Sequence, residues 1–464
     1  MDTNRQLLII LSPTCPPYAS PKSMAYAPIA VIGPGFKPGL LTSASTRRPG
    51  FVSNTDIAPT VLEHFGIDVP RGGKDGGAGM SGRPMGWRAG GQPLRDVRAI
   101  SRRGVRLVQL RWRFGPVYAL GQFFIFIGVG AALAFRPQRA LTARRRLRLI
   151  LLLGMSLPLA LLLLPVLDPG GLVQPYVIAA ALAAAFAWLA SYRSPPMTAL
   201  GALLAATAGV IAIDAVTGAR LLGNCVISYN PMFGGRFHGI GNDVMGAAIA
   251  CAAIGSTALA QQRGGGRGTV WMLGLWLMLV GLAIGAPYWG ANWGGGVTAA
   301  FAFTITWMAV RRGRPRLRHW VAGLAAAAAA GTALMALDLL GDARTWTHFG
   351  DSAHAMRTAG ITAAAQIAAR KFAANLHIFA IAPYNGMTLA VLAATLWLVM
   401  RPPARLAAVL AVRPALWAGL AGSTAGAFVA VIVNDSGIVA GASALGTIAC
   451  AIAYAALEEN RPTS

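Results

Sequence analysis

Four polar stretches interrupt an otherwise strongly apolar chain, and each holds side chains able to do chemistry. The first, NCVISYNPMFGGRFHGIGNDVMG (224–246), contains Tyr229, Asn230, Arg236, His238, Asn242 and Asp243. Its imidazole titrates in the range that suits proton transfer. Its guanidinium is a fork that fits phosphate or carboxylate. Glycines at 234, 235, 239 and 241 allow tight turns and close backbone approach to a ligand. The second stretch, GAPYWGANWGGG (285–296), carries Tyr288, Trp289, Asn292 and Trp293. The third runs from 342 to 375 and holds His348, Asp351, His354, Arg357, Arg370 and Lys371. The fourth, VNDSGIVAG (433–441), sets Asn434, Asp435 and Ser436 between two apolar runs. Almost no loop exists there, so Asp435 is expected at or below a membrane surface, where an ionisable side chain is a functional candidate by default.

The roles that fit these residue types are acid/base work for His238, Asp435 and Asp243. Substrate binding falls to Tyr229, Asn230, Arg236, Asn242, Asn292, Asn434, Ser436, His348 and Arg357. Plainer readings stand beside these. Arg236 and His238 also suit headgroup contact or loop packing. Asp435 and Ser436 suit a helix cap. His348 and His354 suit a solvated interfacial helix, and Trp289 and Trp293 an interfacial belt. Asp214 and Asp338 fall near span ends, where snorkelling or capping suffices. No metal-ligand spacing occurs, and neither does a P-loop, GxSxG or HExxH pattern. The pattern names no cofactor. Cys251 and Cys450 lie in apolar spans as buried thiols, and a Cys15–Cys225 disulfide is open in an oxidising compartment.

The elements that must position these groups are membrane helices. Of 464 residues, 55% are hydrophobic and 12% charged, about half the charge of a soluble protein, and the mean hydropathy is +0.56. The formal charge of +25 resembles a nucleic-acid signal, but the arginines cluster in short runs between apolar stretches, as cytoplasmic loops do. Nucleic acid is therefore not an expected partner; membrane lipid is. About eleven bilayer-length spans are expected, at 116–135, 148–166, 173–191, 197–217, 243–261, 269–286, 295–311, 319–340, 376–400, 414–433 and 437–457. Basic links at 136–148, 193, 263–267, 311–318 and 401–413 then share one side, the cytoplasmic one. The N-terminal segment is expected outside and the C-terminus inside. The fold class expected is an α-helical polytopic membrane protein with a small N-terminal α/β fragment, residues 1–115 preceding a transmembrane domain of 116–464.

In that fragment LLIIL (7–11) and APIAVIG (27–33) read as buried strands. Asp56–His64 reads as a short helix capped by Asn54 or Thr55 and stopped by Gly66. NTDIAPTVLEHFGIDVP (54–70), SGRPM (81–85) and the preceding PIAVIGPGFKPG (28–39) resemble the C-terminal part of the alkaline-phosphatase/sulfatase superfamily, over roughly residues 5–90. The superfamily's metal-binding SDHG turn corresponds here to SPTCPP (12–17), and its later histidine ligand to TSASTRRPG (42–50). Two-metal chemistry needs carboxylate and imidazole ligands, so the resemblance implies a fragment without phosphatase or sulfatase activity, with Asp56 as a helix cap. MDTNRQLLIILSPTCPP lacks a basic start and a cleavage site, and one reading starts Met1 inside a longer domain.

The outer-face motifs, together with this piece, resemble those of bacterial multi-pass membrane proteins that carry such a domain. A phosphatase-like outer segment followed by many helices is similar in layout to the glycolipid-anchor ethanolamine-phosphate transferases. Three functions are therefore expected in competition: a transferase of the bacterial cytoplasmic membrane acting on a lipid-linked or anionic substrate at the extracytoplasmic face, a transporter or flippase, and a non-catalytic scaffold that recruits envelope proteins.

Overall fold

The computed structural model describes residues 5–12, 26–70, 80, 82–171, 173–264, 266–341, 346–381 and 384–458, with several side chains between 348 and 387 outside that description. Two compact units result. The first comprises Met1–Phe114, Tyr229–His238 and Met335–Arg370; the second comprises Gly115–Ser228, Gly239–Leu334 and Lys371–Ser464.

The first unit contains two small antiparallel sheets. β1 (Leu8–Leu11) pairs with β2 (Ile29–Ile32), Leu8 opposite Ile32. β3 (Leu40–Ser43) pairs with β4 (Met85–Arg88), Ser43 opposite Met85. Between β3 and β4, a single helical turn over Asn54–Asp56 leads into α1 (Ile57–His64). The cap is Ser53, one residue before the positions expected: its hydroxyl accepts from Thr55 N at 3.3 Å while Asp56 accepts from Ser53 N at 2.8 Å. This reciprocal pairing satisfies two amides that the first turn leaves open. Gly66, at φ 65°, ends the helix as its achiral backbone permits.

Asp56 is fully buried and takes three further hydrogen bonds, from Ser43 Oγ (2.7 Å), Ser45 Oγ (2.6 Å) and Arg83 N (2.9 Å). One carboxylate thus ties β3, the turn before α1 and the segment entering β4. Arg83, itself buried, donates to the Trp346 carbonyl at 3.2 Å. Nearby in sequence, Asp338 accepts from Thr347 Oγ1 (2.6 Å) and Gly350 N (2.7 Å). The Tyr26 ring packs edge-on to Phe51, and burial pushes its hydroxyl above the ordinary tyrosine range, with Arg48 opposing.

α2 (Pro93–Phe135) begins in the first unit and continues into the second. The remaining helices are α3 (Pro137–Thr142), α4 (Arg144–Leu163), α5 (Gln174–Ser191), α6 (Pro196–Val216), α7 (Asn242–Gln262), α8 (Arg267–Gly285), α9 (Trp293–Arg312), α10 (Leu317–Leu339), α11 (His348–Ile381), α12 (Tyr384–Met400), α13 (Ala404–Ala411), α14 (Pro414–Val433) and α15 (Gly437–Ala456). Ten helices among the described residues are long and apolar enough to cross a membrane, or eleven if the bent pair Thr388–Met400 and Ala404–Ala411 counts as one span. The protein has the fold of a multi-pass helical membrane protein.

Over the expected span 376–400, α11 reaches Ile381 and α12 begins at Tyr384, residues 382 and 383 lying outside the described residues. α12 is then bent by 60° from α13.

The second unit is built around α7, the most buried of the candidate spans. It packs on α6, α14 and α15, and α14 also packs on α9. Small residues set these distances. A methyl at Gly246 would overlap the Ala440 carbonyl, and one at Gly419 or Gly422 would overlap the hydroxyl of Thr257 or Thr306. In lipid, such close backbone approach replaces the hydrophobic drive that helices lack there. α8 and α9 meet in the same way, a Cβ at Gly285 coming within 2.9 Å of the Gly296 Cα. Trp293 donates from Nε1 to the Gly331 carbonyl at 2.9 Å and packs with Val297 and Phe301.

At the end of the bundle where the arginines cluster, Glu458 accepts from Arg148 Nη2 at 2.6 Å and Arg413 Nη2 at 3.5 Å, all three side chains being nearly buried. Arg148 also donates to the Leu457 carbonyl (2.8 Å), and Arg405 Nε to the Ala456 carbonyl (2.9 Å). Guanidinium groups thereby cap the C-terminus of α15, where the helix dipole is negative. Cys225 is buried with its thiol 3.4 Å from the Leu161 carbonyl, and Cys15 lies outside the described residues.

Candidate functional site: a carboxamide network joining three helix N-termini

The site in the second unit starts from two loops lying side by side. Ile240 N donates to the Gly290 carbonyl at 2.7 Å. Gly239, at φ 77°, faces that carbonyl so closely that any side chain would overlap it. The next residues of each loop open helices: Gly241 precedes α7 and Asn292 precedes α9. Asn292 is buried and uses both halves of its amide. Its Oδ1 accepts from Gly295 N at 2.8 Å, capping α9, while its Nδ2 donates to the Ile240 carbonyl and to Asn242 Oδ1, each at 3.0 Å.

The chain of amides continues. Asn242 Nδ2 donates to Ser436 Oγ at 2.8 Å, and Ser436 is the residue before α15. Asn434, also buried, donates from Nδ2 to the Ala430 carbonyl at the end of α14 (3.0 Å) and toward Thr298 Oγ1 (3.5 Å). Gly294 is the only residue type that fits beside it, since a methyl there would overlap Asn434 Oδ1. Asn375 of α11 closes the network: its Nδ2 donates to the Asn434 carbonyl (2.6 Å) and its Oδ1 accepts from Gly437 N (2.9 Å). The N-termini of α7, α9 and α15 are thus held together by neutral side chains.

Chemically, the arrangement supplies three positive dipole ends in one place, a setting that favours anions. Two carboxylates accompany them, half-buried Asp243 in the first turn of α7 and exposed Asp435 two residues before α15. Of the residues singled out from the sequence, the structure brings together Asn242, Asn292, Asn434 and Ser436, with Asp243 and Asp435 adjacent in the chain. Asn375 and Thr298 were not anticipated. A lone asparagine at the edge of an apolar run was the only signal for Asn375, and Thr298 reads as an ordinary helix hydroxyl.

Tyr229, Asn230, Arg236 and His238 belong to the first unit. Asn230 Oδ1 accepts from Met232 N at 2.9 Å, opening a single helical turn over Pro231–Phe233 that ends at Gly234 with φ 68°. Asn230 Nδ2 is buried without a hydrogen-bond acceptor among the described residues. Arg236 Nη1 donates to the His238 carbonyl at 3.4 Å, and both side chains are half-buried. Arg357 is exposed on α11, one turn before a break at Gly360 (φ 65°, ψ −144°). His348 begins α11, but its side chain lies outside the described residues, as do those of Asp351 and Lys371. His354 stacks on Trp346 with ring centroids 5.7 Å apart. Asp214 and Asp338 act as loop clamps; Asp214 accepts from Leu221 N (2.9 Å) and Leu222 N (2.8 Å). Among the described residues no three His, Cys, Asp or Glu side chains gather as a metal site.

Comparison of the chain with protein-family models, with curated proteins and with solved structures found no match.

Proposed function

We propose that the protein is a transferase of the bacterial cytoplasmic membrane, acting on a lipid-linked or anionic substrate at the extracytoplasmic face. The observation that carries this reading is the joining of the α7, α9 and α15 N-termini by Asn292, Asn242 and Ser436. Converging positive dipole ends suit the anionic part of a substrate. Their amides are already held by side chains, so the ends need no rearrangement when a ligand arrives. Asp435 and Asp243 are the proton-transfer groups beside them. His238 and Arg236, with the unpaired donor of Asn230, are the corresponding groups of the 229–238 loop. The basic links at the opposite helix ends support a cytoplasmic placement for those ends.

The N-terminal segment, residues 1–115, enters this reading as non-catalytic, available to recruit envelope proteins. Asp56, the carboxylate in its phosphatase-like helix motif, has its oxygens occupied by four structural hydrogen bonds. A second reading, transport, is favoured by the 60° bend between α12 and α13, since broken helices line the substrate sites of many transporters.

The test is replacement of Asp435 and Arg236 by alanine in a chain whose insertion is verified by cysteine labelling from each side. Loss of turnover of envelope lipid or glycan, with folding intact, is the expected result. An unchanged envelope in both variants removes the transferase reading, and substrate uptake into proteoliposomes replaces it with transport.

A further inference from the structure

Between Val244 and Leu337 the sequence holds seven arginines and no acid. All seven fall in the α7–α8 and α9–α10 links or in the helix turns that adjoin them. Two of them share one aromatic feature of the second unit. Arg311 Cζ lies over the Trp271 ring at 5.8 Å and over the Trp307 ring at 5.2 Å, and the two indoles are 5.8 Å apart. Trp307 is held from behind: its Nε1 donates to the Val270 carbonyl at 3.1 Å, and a Cβ at Gly274 would come within 2.8 Å of that nitrogen. Arg267 stands four residues before Trp271, on the same face of α8. Arg267 and Arg311 are both exposed, and among the described residues no carboxylate pairs with either. The face continues down α8 as an apolar stripe, Trp271, Leu275, Met278 and Leu282, exposed at every position.

We propose that this face of α8 and the end of α9 bind one anionic phospholipid, its phosphate held by Arg267 and Arg311 and an acyl chain lying along the stripe below Trp271. Depth is the first argument. α8 has 19 residues, about 28 Å at 1.5 Å each, against a hydrocarbon core of about 30 Å. Its first residue, Arg267, therefore stands at headgroup level, and so does Arg311 in the last turn of α9. Trp271 lies one turn inside, where indoles mark the membrane interface. Preorganisation is the second argument. A guanidinium over an aromatic face keeps its in-plane N–H groups free for a phosphate, and the rings restrict where it can point. Charge is the third. Two cations without a carboxylate accept a net anionic headgroup, whereas the ammonium of a zwitterionic lipid would add a further positive charge. A second copy packed on the stripe in the same orientation would set like guanidinium groups against each other at one depth. The inference needs only the membrane-spanning fold and stands apart from the transferase reading and from the orientation of the chain.

The experiment titrates the full chain in detergent with phosphatidylglycerol or phosphatidylcholine and reads bound lipid by native mass spectrometry. The first phosphatidylglycerol should bind several-fold more tightly than the first phosphatidylcholine. In the double variant Arg267→Gln, Arg311→Gln that affinity should fall by roughly twenty-fold, at about fivefold per arginine near an anionic headgroup. The double variant Arg316→Gln, Arg318→Gln removes the same charge from the neighbouring link and should stay within about twofold of the wild-type chain. Phosphatidylglycerol with a photoreactive acyl chain should label residues 271–282 of the wild-type chain, a readout that stands even where the first variant fails to fold. Equal loss in the two double variants overturns the proposal in favour of diffuse charge. So does equal binding of the two lipids, or label spread evenly over the lipid-facing helices. Displacement of the lipid by inorganic phosphate at equal concentration overturns it by assigning the two arginines to a free anion. A dimer that Trp271→Ala dissolves overturns it by assigning the stripe to a second copy.

Discussion

The two ends of the helical bundle solve one electrostatic problem in opposite ways. Where α15 ends, negative helix carbonyls meet the full charges of Arg148 and Arg405, and a buried glutamate, Glu458, balances Arg148 and Arg413. Where α15 begins, three positive helix ends meet carboxamides and one hydroxyl. At the first end one carboxylate is shared by two guanidinium groups, and the positive charge left over faces the negative helix end. Neutral amides at the second end fix the backbone, with the carboxylates Asp243 and Asp435 standing beside the helix ends. The contrast separates an end built to hold from an end able to receive.

The largest expected effect breaks the charged end. Glu458→Ala leaves two nearly buried guanidinium groups without their counter-charge, a loss of about 3–5 kcal/mol. It should appear as a marked fall in the thermal midpoint of the detergent-solubilised protein. Asn292→Ala comes next. It removes the cap of α9 and strands the Ile240 carbonyl, for about 2–3 kcal/mol. Unlike the first variant, its stability deficit should not respond to salt. Asn242→Ala breaks the single link to Ser436 and should cost about 1 kcal/mol by the same unfolding assay. Asp435→Asn, at an exposed position, should shift stability by no more than about 0.5 kcal/mol yet reduce turnover. A large stability loss in that variant would make Asp435 part of the scaffold and erase the functional contrast between the ends.

The spans were legible because apolar runs of bilayer length, bounded by arginines, leave few alternatives. Ser53 was missed as the cap because Asn54 and Thr55 are equally able cap residues, and only backbone geometry chooses among them. The short strands β3 and β4 carry a glycine, a serine and an arginine among their eight residues, which hides their period. At the candidate site, residue types were readable and partners were not. Asn242 and Ser436 lie 194 positions apart, and nothing local announces that they meet. Asn375 was passed over because it stands alone in its segment.

The contact of Gly285 with Gly296 has a consequence for how the chain is made. α9 is the least apolar of the candidate spans, yet much of it is buried. Its three consecutive glycines, three threonines and two tryptophans serve neighbours that are synthesised before and after it. Presented alone to the insertion machinery, α9 is a weak candidate for the bilayer. α8 is more apolar, largely lipid-facing, and emerges just before it. Their glycine contact makes the pair a ready hairpin, so α9 should enter the membrane as the second arm of a unit rather than by itself. A glycosylation reporter placed after α9, with and without α8 upstream, reads that dependence directly.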